Sequence, residues 1–285
     1  MELWFLFAVL GYMIGAVSNC LDKRMMNQQY HPVTTSLLRV LFNAAILAGA
    51  GLVFFQLRLS ASVLLLALIP GSLLALSFVV YLRVLQIKNA SEIMPFWQSL
   101  DVLLIFLGSV FFFQEPVTLL NYGGILVTLV GIYLVLTENV HKAPRLDRSF
   151  LLVASILPID LAYALLIKKF LGSIEPISLA VSTYTIAFFM LAVVVLLMRQ
   201  RKQPNPAFVR PRARTVFGAS LFAATGVGLL YTALSQANAS KVYPMAGISS
   251  VTVFLLATVF LQEKFYRHRF IGTLIVVLGI YLISL

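Results

Sequence analysis

Charge is what this chain most lacks. Only 11% of its 285 residues are Asp, Glu, Lys or Arg, against about 25% in an ordinary soluble domain. A surface wetted by water cannot be built from so few charges at this length, so lipid is the expected solvent for most of the exterior. Cysteine is nearly missing too. Cys20 stands alone in an apolar run, which excludes a disulfide framework and fits a small buried side chain. The net charge of +11 does not point to nucleic acid, because the basic residues are scattered between apolar runs and form no single patch. Short basic loops beside membrane spans are what orientation in a bilayer requires. No glycine run precedes a Lys-Ser/Thr pair, no nucleophile elbow is present, and His31, His141 and His268 lie far apart without metal-ligand spacing. An ATP-driven pump, a hydrolase, a bound metal and a cofactor are therefore not expected.

What the chain does have is apolar length. Hydrophobic residues make up 61%, and the mean hydropathy is +0.98. A helix needs about 20 apolar residues to cross the hydrocarbon. Runs of that length lie at Leu3–Leu21, Val33–Leu57, Ser62–Ile87, Glu92–Phe113, Val117–Thr137, Ser149–Phe170, Ile177–Met198, Thr215–Ala237, Lys241–Leu261 and Phe270–Leu285. The first lacks the basic flank and cleavage site of a signal peptide, so it is expected to be retained. Val102-Leu103-Leu104-Ile105-Phe106-Leu107 shows no alternation, which favours helices over the strands of a barrel. The predicted fold is an all-α polytopic membrane protein of ten transmembrane helices.

The chain also repeats itself. Asn89-Ala90-Ser91 with Pro95 matches Asn238-Ala239-Ser240 with Pro244, and Phe113-Gln114-Glu115 matches Leu261-Gln262-Glu263. Gly124 and Gly131-Ile132-Tyr133-Leu134 match Gly272 and Gly279-Ile280-Tyr281-Leu282. Spans 4 and 5 thus recur as spans 9 and 10, in a first repeat over 1–140 and a second over 141–285, divided at the polar stretch Glu138–Arg148. A second polar stretch, Arg199–Arg214, carries three prolines and reads as a solvated linker. Five spans per repeat is an odd number, so the halves are predicted to be inverted about an axis in the membrane plane. That symmetry lets one midplane site face either side in turn.

These repeated motifs, with Arg39 following His31-Pro32, resemble the EamA-type transporters of the drug/metabolite superfamily, over the whole chain. The resemblance implies a ten-helix fold with a central cavity in the cell membrane, moving metabolites such as amino acids, amines or drugs, commonly outward.

An ionisable residue at membrane depth is a functional candidate by default. Asp101 falls near the middle of span 4, with Trp97 and Gln98 one turn before it on the same face. An aromatic ring, an amide and a carboxylate suit an amine or quaternary ammonium, and the carboxylate also suits a proton carrier. Asp160 is a second candidate for proton coupling, with Pro158 before it and Tyr163 a turn later. Arg39 in span 2 suits a carboxylate, an acidic partner or a lipid headgroup. Tyr12, Tyr81, Tyr184 and Tyr231 are secondary substrate candidates, each as well explained by packing. The second repeat has Ala246, Gly247 and Ser250 where the first has Trp97, Gln98 and Asp101, so the polar face of span 4 is not shared scaffolding. Glu115 and Glu263 end spans 4 and 9 at the surface and read as structural punctuation.

The expected function is a secondary transporter for a small amino acid or amine, working by alternating access and exporting, with Arg39 and Asp101 gripping the two ends of a zwitterion. The alternatives are a proton-coupled exporter of cationic drugs and a lipid-handling flippase. Expected partners are a small-molecule substrate, the bilayer and a coupling proton. Sixteen Lys and Arg residues follow odd-numbered spans and four follow even-numbered ones. The positive-inside rule then puts both termini outside, whereas the resemblance implies both inside.

Overall fold

The computed structural model describes residues 3–55, 57–114, 118–136, 148–200 and 211–284. Glu115, most of the two polar stretches and the boundary at 140/141 lie outside them. The elements among the described residues are helices: α1 Leu3–Asn27, α2 Pro32–Phe54, α3 Ala61–Leu66, α4 Leu68–Ile87, α5 Ala90–Phe113, α6 Leu119–Leu136, α7 Arg148–Phe170, α8 Pro176–Gln200, α9 Ala213–Gln236, α10 Ala239–Val242, a 3₁₀ turn Tyr243–Met245, α11 Ala246–Phe260 and α12 Arg267–Ser284. Eight of the helical stretches are long and apolar enough to cross a membrane, and Leu119–Val135 is a shorter apolar helix. Large apolar side chains cover the outside, with Phe54 and Phe111 each 78% exposed and Leu119 87%. Such a surface is stable only against lipid.

Three departures from the predicted spans have local causes. The first helix does not stop at Leu21 but runs to Asn27, because the charges that follow are neutralised internally. Asp22 pairs with Arg39, and Lys23 Nζ donates to the carbonyls of Leu85 and Lys88 at 2.8 and 2.7 Å. The third span breaks at Ala67. Pro70 has no N–H for the carbonyl four residues earlier, and its ring crowds that position. The ninth span is likewise interrupted by the 3₁₀ turn at Pro244, whereas the matching Pro95 sits inside an unbroken α5, where Ser99 Oγ bonds back to the Pro95 carbonyl.

The helices pair in a pattern that exchanging the halves leaves nearly unchanged. α2 packs on α8, α5 on α11 and α6 on α12; α1 packs on α9 as α4 packs on α7; α2 packs on α9 as α4 packs on α8; α1 packs on α11 as α5 packs on α7. The closest crossing is antiparallel. A Cβ at Gly124 would lie 2.6 Å from the Gly279 carbonyl oxygen, and one at Gly131 would lie 2.6 Å from the Val276 nitrogen. Glycine is required at these positions because backbone, which cannot yield, occupies the space. Gly131→Ala is expected to destabilise the protein by about 1–3 kcal/mol, read as a fall in the detergent thermal-unfolding midpoint. Gly123→Ala, where nothing lies within 4 Å, serves as the neutral control.

In the second Gln-Glu motif the structural punctuation takes a definite form. Gln114 and Gln262 both adopt the left-handed conformation, at φ 52° and 55°, which stops the preceding helix. Glu263 then reaches α5. Its carboxylate accepts the N–H groups of Ala90 and Ser91, both at 2.9 Å, and the Ser91 hydroxyl at 2.5 Å. Asn89, the N-cap residue, supplies no side-chain cap, so the first turn of α5 is satisfied by a carboxylate from far along the chain. A second long-range cap involves Lys168 on α7, whose ammonium donates to the carbonyls of Leu234 and Ala237 at the end of α9, just as Lys23 on α1 does at the end of α4.

Candidate functional site

Two apolar cores, one around Met26, Leu85 and Ile93 and the other around Leu47, Leu179 and Leu234, fill most of the bundle. Tyr12 and Phe78 pack against both. Residues of both cores line a cavity of about 300 Å³, which is large enough for a small organic molecule.

α5 supplies one wall through Met94, Trp97, Gln98, Asp101 and Ile105. Their spacing of three, four, seven and eleven residues keeps them on one helical face. α4 supplies Leu74, Ser77, Phe78 and Tyr81 with similar spacing, α7 supplies Asp160, Tyr163 and Ala164, and Asn19 and Tyr243 complete the lining. Tyr81 and Trp97 meet edge to face with centroids 5.9 Å apart.

The two carboxylates are held differently. Asp160 is fixed through both oxygens: Ser77 Oγ donates to Oδ1 at 2.5 Å and Trp97 Nε1 donates to Oδ2 at 2.9 Å. Asp101 Oδ1 is buried with no hydrogen-bond partner among the described residues. Gln98 is oriented from the other half of the chain, donating to Ser249 Oγ at 3.0 Å and accepting from Ser250 Oγ at 2.6 Å. Two acidic groups therefore face one small, partly open space, and among the described residues no Lys or Arg lines it. Charges of one sign in such a setting repel strongly, and a cation entering between them relieves both.

The sequence candidates separate into those at the cavity and those outside it. Trp97, Gln98, Asp101, Tyr81 and Asp160 all line it. Tyr12 is half-buried on α1 between the two cores and is not a lining residue. Tyr231 and Tyr184 are core residues, 5% and 4% exposed. The Tyr231 hydroxyl meets that of cavity-lining Tyr163 at 2.6 Å. Arg39 stands outside the lining and does not form the zwitterion grip with Asp101. It is 1% exposed, and its guanidinium is spent on Asp22, with Nε at 3.0 Å from Oδ1 and Nη2 at 3.0 Å from Oδ2, and on the hydroxyls of Ser18 and Ser220. Tyr81 bridges the two regions, donating to Asn19 at 3.0 Å and to Asp22 at 3.3 Å. Sequence reasoning missed Ser77, Phe78 and Tyr243. The spacing of Leu74, Ser77, Phe78 and Tyr81 marks a helix face, but uncharged residues in an apolar run give no sign of which face turns inward.

Comparison with known proteins agrees with this architecture. No curated protein matches the chain. Among solved structures 28 chains match; one, a crystal structure of a protein with 18% sequence identity, superposes with a TM-score of 0.69 over 97% of this chain and 95% of its own. That likeness establishes the fold alone. The model of the EamA-like transporter family matches residues 2–137 and 161–285. This multi-pass membrane protein, of a family of transporters whose usual place is the cell membrane, belongs to the EamA-like transporter family.

Proposed function

We propose that the protein is a secondary transporter that exports a small amine or other organic cation by alternating access. The observation that carries this reading is the cavity itself: among the described residues, an oxygen of Asp101 without a partner, a second carboxylate on Asp160, the rings of Trp97, Phe78, Tyr81 and Tyr163, and no basic side chain in the lining. A carboxylate beside aromatic faces is the chemistry that recognises ammonium groups. Asp101 meets the substrate cation, and Asp160, held by Ser77 and Trp97, sets the field and orients the indole. Without substrate, a proton on this carboxylate pair supplies the missing positive charge, so that substrate and proton exchange for one another. The presence of two acids favours this proton-coupled form over uniport.

The reading requires two inverted five-span repeats, 1–140 and 141–285, giving ten spans in all. Three observations support it: the pairing pattern that survives exchange of the halves, the antiparallel α6–α12 crossing, and the division of the family match into 2–137 and 161–285. Alternating access then follows from the two halves exchanging conformations around a fixed site.

Purified protein in liposomes tests the proposal by counterflow with primary amines, quaternary ammonium ions, zwitterionic amino acids and organic anions. Amines or quaternary ammonium ions should exchange, and an imposed pH gradient should accelerate them. Exchange confined to anions, or no exchange by folded protein, would overturn it.

A further inference from the structure

In a carrier made of inverted repeats, the two inward- and outward-facing states are related by exchanging the roles of the halves. Every contact with a symmetric counterpart stabilises both states alike. Only contacts without a counterpart bias the carrier toward one of them. This structure contains such a contact, at the end of the bundle where α5 begins.

Arg269 at the start of α12 pairs with Glu92 in the first turn of α5, Nη1 to Oε2 at 2.9 Å, with side chains 7% and 13% exposed. Lys88 approaches the other oxygen of Glu92 at 3.4 Å, and the Arg269 guanidinium lies over the Tyr266 ring at 4.8 Å. The repeat offsets place Lys241 opposite Glu92 and Asn121 opposite Arg269. Those residues cannot form the same bond. Lys241 is exposed, and Asn121 instead donates to the Ile283 carbonyl at 2.8 Å. Backbone packing among the described residues follows the charges. There α5 lies against α12 at the Ala90 end, whereas the helix α6 makes little contact with α10 or α11; α1 lies against α4, whereas α7 and α9 meet mainly through Tyr163–Tyr231 and the Lys168 cap.

We propose that the Glu92–Arg269 pair is a one-sided lock. It holds the Ala90 end closed and sets the resting carrier open toward the Ala239 end, so these two positioning residues decide from which side the empty site is loaded. This inference rests on the alternating-access reading above.

The test uses Met94→Cys, a cavity-lining reporter on the Ala90 side, in a Cys20→Ala background, with a membrane-impermeant thiol reagent applied from each face in right-side-out and inverted vesicles. The parent reporter should label faster from the Ala239 face. Glu92→Gln and Arg269→Gln should each raise the rate from the Ala90 face roughly tenfold, the shift that a modest conformational bias produces, and should lower it from the other face. The charge exchange Glu92→Arg with Arg269→Glu should restore the parental ratio, which guards against a variant that is merely misfolded. An unchanged ratio in folded, transport-competent variants would overturn the lock and leave the carrier reading intact. A reporter that labels from neither face in any variant would overturn the carrier reading itself.

Discussion

Asp101→Asn is expected to abolish exchange of organic cations and to weaken their binding by at least about thirtyfold. Removing one partner of a buried charge pair costs roughly 2–5 kcal/mol, and each ~1.4 kcal/mol is tenfold in affinity. The residue is singled out because its Oδ1 is buried and has no partner among the described residues, so its charge has no other evident purpose. Asp160→Asn should act differently. Ser77 and Trp97 already occupy both of its oxygens, and an amide can accept from only one of them. Binding should weaken less, while the dependence of transport on the pH gradient flattens. Trp97 and Trp4 are the two tryptophans, so quenching of the remaining fluorophore in a Trp4→Phe background reports binding directly. Asp101→Asn protein that binds amines with parental affinity would sink the assignment.

Arg39→Gln should be the most destabilising of the single substitutions considered. It leaves Asp22, 1% exposed, as a buried carboxylate stripped of its cation, a change worth about 3–5 kcal/mol. The loss would also release the hydroxyls of Ser18 and Ser220, which tie α1 and α9 to α2 through the guanidinium. Asp22→Asn in the same chain should recover part of the loss, because the uncompensated charge is then gone. Thermal unfolding of detergent-purified protein measures both. An unshifted midpoint for Arg39→Gln would mean that the pair contributes nothing to stability. The position close to the cavity also predicts a secondary effect on transport, since Tyr81 hydrogen-bonds to Asp22 and lines the site.

The overall plan was legible in the sequence because lipid leaves a coarse signature. Long apolar runs, one helical face carrying Trp97, Gln98 and Asp101, and two copies of a motif are all visible without coordinates. What was hidden concerned partners. Asp22 and Lys23 looked like the end of a helix because a charge normally marks the membrane surface, and only the fold shows that Arg39 and two carbonyls receive them. Arg39 looked available for substrate for the same reason. Pro95 and Pro244 occupy matching positions, yet one sits in a continuous helix and the other makes a 3₁₀ turn, so proline alone did not decide the break. Ser77 carried no signal. A serine in an apolar helix more often bonds to its own backbone, and its bond to Asp160 depends on which face of α4 meets α7. Glu263 was placed correctly at a helix end, but the helix it serves is one that begins some 170 residues earlier in the chain.

The antiparallel α6–α12 crossing has the form of an isologous contact, in which the same patch meets its own copy about a two-fold axis. Gly124 faces Gly279 while Gly131 faces Gly272, so each helix offers its counterpart the same surface that it receives. Two separate subunits would dimerise through such a seam. In this protein the seam is internal to one polypeptide, so the two sides of it need not be identical: α5 carries Trp97, Gln98 and Asp101 where α11 carries Ala246, Gly247 and Ser250. An identical pair would have had to place those side chains twice around the axis.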